Sequence, residues 1–312
     1  MRPQYNNEQL ILTIKRACSV PTSQFTYRDS DWVAMATDVL QTIVIPLVMA
    51  TREEYFVTFE DVQSPVDGII PFPEAAVGSK LRSVCYVSQP NPPIVINLPR
   101  IDLDVVAGVG AFNMGTLAGF YIQGSNIVLY PNGSVPTNTT IRLYYYKRSL
   151  VLAEPENYGQ VQSVDPMTNT LVLDVVPNSW EVGMETNSIG PQPNFDITSS
   201  GYAVTALSSP SLILDSVDGI EVGDYLSEIG YSAIPQIPIE AMNYLAQLTA
   251  AKALEGLGDR EGMKAAKDEA DILKQSLLVM ISQRVDGSIK KIVNPSGGLR
   301  LACGTWPRYR GW

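Results

Sequence analysis

The chain has 312 residues, 45% hydrophobic and 17% charged, with a formal net charge of −10; this is a globular composition, long enough for two or three domains and neither disordered nor fibrous. It contains no histidine, which excludes every Ser-His-Asp or Cys-His arrangement and removes the commonest general base and metal ligand. The acidic balance argues against general nucleic-acid binding, which needs basic faces to displace counterions.

No run of 18 apolar residues occurs, so no membrane span is expected. The start, "MRPQYNNEQL", lacks the charged-then-apolar pattern of a signal peptide. Cys18, Cys85 and Cys303 are far apart and odd in number, with neither zinc spacing nor a disulfide framework. They read as buried or incidental thiols in a reducing compartment. The triplets at Asn132 and Asn138 read as chance turn sequences rather than glycosylation sites.

In chain order, a short helix is predicted over residues 7 to 18. Asn6 caps it, Gln9 follows three residues later, and Leu10, Ile14 and Ala17 make one face. A second helix begins near Asp29 or Ser30, with Trp32, Met35, Val39 and Ile43 at helical spacing. The apolar stretch "VLQTIVIPLVMA" (39 to 50) reads as core, and Pro46 is expected to kink or end the helix. The period then changes. In "EYFVTFEDV" Tyr55, Val57 and Phe59 alternate with polar neighbours, a strand signature. "SKLRSVCYVSQ" is another strand, and "PNPPIVINLPR" is extended by its prolines. "GFYIQGSNIVLYP" reads as a hairpin around Gly124, Ser125 and Asn126, and "TTIRLYYYKRSLVL" as a further strand.

After "AEPENYG" the strands shorten. "GQVQSVD" and "NTLVLDVVP" flank "PMTN", "YAVTALS" and "SLILDSV" flank "SP", and "VGDYLSEIG" is a last short strand. Such regular short strands predict a compact antiparallel barrel or sandwich of roughly 75 to 80 residues. The helical period returns in "PIEAMNYLAQLTAAKALEGLG", which starts after Pro238 and ends at Gly258. Asp259 caps a second helix running to about Ser282. Met263, Ala266, Ala270, Leu273, Leu277 and Met280 recur in steps of three and four, a narrow coiled-coil-like seam. The short connection makes a helical hairpin.

The predicted class is therefore α+β: a discontinuous helical bundle made from N-terminal helices and the C-terminal hairpin, with an inserted antiparallel β region that includes a small barrel or sandwich, and an extended C-terminal arm. The expected divisions are an N-terminal helical part (1–60), a β-rich region (61–155), a small antiparallel β domain (156–235), the hairpin (236–283) and a basic arm (284–312).

Chemistry is sparse. "GVGAFNMG" (108 to 115) follows an apolar run, but Asn113 stands where a dinucleotide loop needs its third glycine and no helix pattern follows. No cofactor or metal is expected. Asp102 with Asp104, and Glu53 with Glu54, carry no signature of acid–base catalysis. "DSVDGIEVGD" (215 to 224) fits a turn into a strand better than a cation loop. The run Tyr144, Tyr145, Tyr146 is a packed strand or else a stacking platform. A chain of this size without a catalytic constellation reads as a structural part of an assembly rather than an enzyme.

The stretch "VGDYLSEIGYSAIPQIPIEAMNYLAQLTAAKALEGLGDREGMKAAKDEADILKQSLLVMISQRVDGSIKKIV" resembles the head-to-tail connector, or neck adaptor, proteins of tailed bacteriophages. The similarity rests on the "VGDYL…IG" strand, the prolines leading into a helix, "LGD" between helices and "QRVDGSIKKIV" after them. "GFYIQGSNIVLYP" with "TIRLYYYKR", and "YFVTFEDV" leading to "GSKLRSVCYV", are similar to the β region of the same proteins. The resemblance implies a homo-oligomeric ring, commonly of twelve subunits, below the portal of the capsid. The ring lies in the virion neck, is assembled in the host cytoplasm, and contacts the portal protein and downstream tail or neck proteins. Its lumen passes double-stranded DNA without specific binding, which an acidic body suits.

The C-terminal segment has a charge of its own. Residues 284 to 312 hold Arg284, Lys290, Lys291, Arg300, Arg308 and Arg310 against Asp286 alone, a balance of +5 that leaves −15 for the remainder. With Trp306, Tyr309 and Trp312 the segment carries the residue types enriched as interface anchors. It is expected to dock on the portal ring or the adjacent subunit, its own domain and DNA being the other destinations. Two other functions fit less of the sequence: a tail or baseplate β-module gripping a receptor or glycan, and a carboxylate-dependent glycan hydrolase.

Overall fold

The computed structural model describes residues 5–19, 26–64, 67–90, 93–102, 119–130, 139–190 and 197–282. Among them the protein is mixed α+β, with four helices and sheets that are antiparallel except for one two-stranded pair.

Helix α1 (Asn7–Ala17) begins where the Asn6 side chain accepts the Gln9 N–H at 2.9 Å, the cap expected from sequence. Glu8 lies in its first turn and Lys15 and Arg16 in its last, each opposing the local end of the helix dipole. Helix α2 (Asp29–Thr51) starts with the Arg28 N–H donating to the Asp31 carboxylate at 2.8 Å. It is α-helical over Asp29–Val39, makes a π turn over Leu40–Val44 and resumes over Ile45–Thr51. Pro46 thus does not end the helix. A proline lacks an N–H and crowds the carbonyl four residues back, and the wider turn just before it, in which the Ile45 N–H reaches the Leu40 carbonyl, accommodates both demands. The extra residue also turns the face, so Ile43, expected inside, is 44% exposed while Val44 is fully buried. By length and composition α2 is apolar enough to cross a membrane. Here Trp32, Val33, Ala36, Val39, Leu40, Val44, Ile45 and Val48 bury its inner face in the largest core cluster.

Helix α3 (Met242–Leu257) follows a 3-10 turn at Ile239–Ala241 and stops at Gly258, whose φ of +77° is the left-handed conformation glycine adopts without steric cost. The Asp259 carboxylate accepts the Gly262 N–H at 2.9 Å and opens α4 (Arg260–Ile281). On α4, Ala266, Ala270 and Leu277 are buried, and Met263 and Leu273 pack against the same core. Met280 does not: it is 55% exposed, and Ile281, at 3%, takes the inward position. A 3.6-residue helix drifts against a 3.5-residue seam, so the last inward step is four residues rather than three.

Side chains from α1, α2, α3 and α4 share one hydrophobic cluster. Asn7 is fully buried in it, with Nδ2 donating to the Ala153 carbonyl at 2.7 Å and the Ser232 carbonyl at 2.8 Å, while its backbone N–H reaches the Ala233 carbonyl. Those partners lie at the ends of β8 (Val151–Leu152) and β15 (Tyr231–Ser232), the parallel pair. The chain therefore passes the start of α1 twice, at Ala153 and again at Ser232.

Between α2 and β8 lie two facing sheets. One has the order β1-β7-β3-β4, from β1 (Val57–Gln63), β3 (Ala76–Pro90), β4 (Pro93–Leu98) and β7 (Thr140–Lys147). The other is β2-β6-β5, from β2 (Ile69–Pro71), β5 (Gly119–Gln123) and β6 (Asn126–Tyr130). Ile70, Val84, Leu98, Phe120, Ile127, Leu129, Ile141 and Leu143 fill the space between. The hairpin expected around Gly124 is present as β5 and β6.

Residues 158–228 contain a closed six-stranded barrel, in the order β10-β13-β12-β11-β14-β9 with every pair antiparallel. Its strands are β9 (Tyr158–Asp165), β10 (Thr170–Leu173), β11 (Glu185–Ile189), β12 (Ile197–Ser208), β13 (Ser211–Leu214) and β14 (Tyr225–Glu228). The barrel is a duplication. "TLVLD" (170–174) and "SLILD" (211–215) correspond, as do "WEVG" (180–183) and "IEVG" (220–223). Their hydrogen bonds correspond too. Gly183 N–H donates to the Val204 carbonyl at 2.7 Å and Gly223 N–H to the Val161 carbonyl at 2.8 Å; Leu173 N–H reaches Pro210 and Leu214 N–H reaches Asn169, both at 3.0 Å. The carboxylate of Asp174 accepts from Gln160 and Val175 N–H, and that of Asp215 from Ala203 and Ser216 N–H. Exchanging the halves leaves the strand order unchanged. Equivalent residues stand directly opposite each other at Leu171↔Leu212 and Asn187↔Ser227, where the pseudo-two-fold axis crosses the barrel wall.

Candidate functional site

Carboxylates could do acid–base work in a chain without histidine, and the structure engages several of them. Glu53 accepts the Tyr146 hydroxyl at 2.5 Å and pairs with Arg82 at 3.1 Å, so it joins the end of α2 to the first sheet. The same hydrogen bond to Glu53 is the main reason the Tyr146 phenol titrates above its usual range. Glu54 pairs with Arg52 at 3.1 Å, and Arg52 Nε also donates to the Ile281 carbonyl. Asp61 receives two bonds of 2.7 Å from Arg142, which hold its carboxyl below the ordinary carboxylate range. Arg142 in turn lies 4.2 Å from the Phe59 ring centroid. Asp38 pairs with Lys252 and Lys15 with Asp29. Asp104 lies outside the described residues, so its pairing with Asp102 has no structural description.

In the stretch 215–224, Gly219 and Gly223 take positive φ as turns into β14. Asp224 is buried, accepting from Ser188 Oγ at 3.2 Å and Glu221 N–H at 2.9 Å, and burial pushes its carboxyl up. Among the described residues no three His, Cys, Asp or Glu side chains come together as a metal site. Cys18 donates weakly to the Ala250 carbonyl at 3.6 Å, and burial raises its thiol to about 11; a thiol held protonated is a poor nucleophile. Of the tyrosine run, Tyr145 and Tyr146 are buried and Tyr144 packs at 5.7 Å against Phe59. These three are wall and core of a strand rather than an open stacking platform.

The structure brings the seam residues of α4 onto the core as described, Met280 excepted. The arm residues Arg284, Lys290, Lys291, Arg300, Trp306, Arg308, Tyr309, Arg310 and Trp312 lie outside the described residues, as do "GVGAFNMG", Asn132, Asn138 and Cys303.

Three surface features have no counterpart in the sequence reading. The first is the outer strand β4, where Ile94, Val95 and Ile96 are all exposed. The second is a groove of about 800 Å³ beside β3, lined by Val77–Ser83, Asn97–Arg100, Phe120 and Ile122. Its charged lining residues are Lys80, Arg82 and Arg100, with no carboxylate among them. In sequence these cations are dispersed over twenty positions, and only the return of the chain along β4 gathers them. A further groove of about 460 Å³ lies between α2 and the β8–β15 pair, and its charged lining is Asp38, Glu154 and Glu228.

No family model matches the chain, and no curated protein matches it in sequence.

Proposed function

We propose that this chain is a structural protein of a tailed-phage virion, a subunit of a ring that connects the capsid portal to the tail and lets DNA pass. The observation that carries the reading is the way the chain returns on itself. Helices from residues 7–51 and 242–281 contribute to one hydrophobic cluster, and Asn7 is bonded to both Ala153 and Ser232 at the boundaries of the intervening β segments. We read this as one discontinuous bundle carrying two β bodies, and in the connector resemblance it is the helical bundle that forms the ring. The ion pairs and hydrogen bonds that hold Glu53, Glu54, Asp61 and Asp224 support a structural role over catalysis. The basic, aromatic segment 284–312 is then the arm that docks on the portal or on a neighbouring subunit, and head-to-tail contacts that close generate the ring.

The experiment is particle mass by light scattering with electron-microscopic class averages, for the protein alone and mixed with a portal ring from the same source. Twelve copies of the 34.1 kDa chain come to about 409 kDa. A closed ring, alone or on the portal, is the expected result. A monomer that ignores the portal would sink the reading and leave the alternative, a tail or baseplate module binding a receptor or glycan, for which the exposed Phe59 and the β4 surface would be the place to look. Removing residues 296–312 is expected to leave a folded protein that no longer joins its partner; normal assembly of the truncated chain would dismiss the arm.

A further inference from the structure

The groove between α2 and the β8–β15 pair is built from three segments that lie far apart in the chain. Residues 30 to 41 of α2 line one part of it, residues 151 to 157 another, and Glu228 with Tyr231 the rest, around a cavity of about 460 Å³. The Leu152 N–H donates to Thr37 Oγ1 at 3.3 Å and ties helix to strand. Among the lining residues Val33 and Leu152 are buried, whereas Val151 and Tyr231, directly paired across β8 and β15, are 42% and 41% exposed. Ile229, two residues before Tyr231, is exposed as well. A valine, an isoleucine and a tyrosine ring therefore offer apolar surface at the groove, next to its polar lining of Ser30, Gln41 and Asn157.

The charge of the lining has one sign. Asp38, Glu154 and Glu228 line the groove, with no lysine or arginine among the lining residues. Asp38 is engaged by Lys252. Among the described residues no cation pairs with Glu154 or Glu228. Nor do the three carboxylates converge on one point as a metal site, so a single ion is not what they fit. Nucleic acid is repelled by the same charges. Carboxylates distributed around a groove suit a ligand that carries several separated positive charges. The chain itself carries such a ligand: residues 284–312 hold six cations against one acid, together with Trp306, Tyr309 and Trp312.

We infer that this groove seats the basic, aromatic segment 284–312 of a second copy of the chain. Arginine and lysine of the segment pair with Glu154 and Glu228, and its aromatic rings cover Val151 and Tyr231. The last described residue is Ser282, and 30 residues follow it. Fully extended, they reach at most about 100 Å, ample to pass from one subunit to the next. Each chain offers one segment and one groove, so the contact is heterologous: it runs from copy to copy, and it closes where the rotation permits. The inference rests on the arm of the proposed function and names the seat that arm takes on a neighbouring subunit.

The test adds a labelled synthetic peptide of residues 284–312 to the full chain, diluted below any self-association and kept reduced, and reads fluorescence anisotropy. Saturable binding of one peptide per chain is expected, weakening as salt rises. The double variant Glu154→Lys/Glu228→Lys should bind at least tenfold more weakly while melting at the same temperature. A peptide of equal charge with alanine at its three aromatic positions should also bind more weakly. A further peptide with photoreactive benzoylphenylalanine in place of Tyr309 should cross-link to residues 30–41, 151–157 or 228–231, and should the double variant not fold, that map on the unaltered chain decides alone. No saturable binding, undiminished binding by the folded variant or of the alanine peptide, or cross-links elsewhere would each overturn the proposal. Light scattering separates this from the ring itself. A closed ring that forms normally with the reversed groove sinks the groove and keeps the ring, whereas peptide binding at the groove of a chain that never forms a ring keeps the groove and sinks the ring.

Discussion

Truncating Leu171 or Leu212 to alanine tests the duplication of the barrel energetically. The two leucines are fully buried and directly opposed across β10 and β13, at one of the two places where the pseudo-two-fold axis meets the wall. Each substitution removes the same atoms from the same cluster, which also holds Val161, Leu173, Val204, Leu214 and Leu226. A buried Leu→Ala change costs about 2–5 kcal/mol, the spread reflecting how far the site collapses. Equivalent surroundings should collapse equally, so the two costs should agree to within about 1 kcal/mol, and because the residues touch, the double variant should depart from additivity. Native-state hydrogen exchange at Leu173 and Leu214 provides the readout, since each amide donates across the same strand pair and reports local opening. Should one truncation cost under about 1 kcal/mol and the other over about 3, against the common range for such changes, the two halves would share a strand order without sharing an energetic environment.

Asn7→Ala strips the side-chain donor from the buried Ala153 carbonyl and one of two donors from the Ser232 carbonyl, which keeps the Ala153 N–H; a loss of about 1–3 kcal/mol is expected, measured by urea denaturation. Gly159→Ala drives a Cβ into the Val175 carbonyl oxygen, so β9 must shift; overpacking of about 1–3 kcal/mol should appear as a lower melting temperature. Asp224 binds its proton more tightly folded than unfolded because burial raises its pKa. Its contribution therefore favours the fold at low pH and is lost as pH rises from the unfolded value through the folded one, and Asp224→Asn should flatten that part of the stability–pH curve. Asp61 has the opposite sign: Arg142 lowers its pKa, so its contribution is present above the unfolded value and lost as pH falls through the folded one. Asp61→Asn should remove this acid-limb dependence in a denaturation series at pH 2 to 5.

Helix ends were legible because their signals are local. Asn6, Gly258 and Asp259 act within one turn of where they stand, and no distant contact has to agree. Strands with an apolar alternation were legible for the same reason. Strand β11, "ETNSI", was not: Thr186, Asn187 and Ser188 are buried, and they are satisfied by the Tyr202 and Tyr231 carbonyls and by Asp224. A polar strand buried by tertiary hydrogen bonds carries no hydrophobic period to detect. Ile43 and Met280 were misplaced because a periodic reading assumes one constant turn, whereas α2 inserts a π turn and α4 keeps its own 3.6-residue pitch. The groove beside β3 depends on where β4 stops pairing, which is a property of register and not of composition.

The bond network around Asn7 also sets an order of events during synthesis. All six barrel strands lie within residues 158–228, so the barrel can close as soon as that stretch clears the ribosome. Helix α2 cannot complete its surroundings so early, because its partner α3 begins about 190 residues after α2 ends. At about 5–20 residues per second, the nascent chain carries the uncovered apolar face of α2 for roughly 10–40 s. A helix apolar enough to cross a membrane thus waits for the neighbour that covers it, and it is where a chaperone that shields nascent chains would find its binding site.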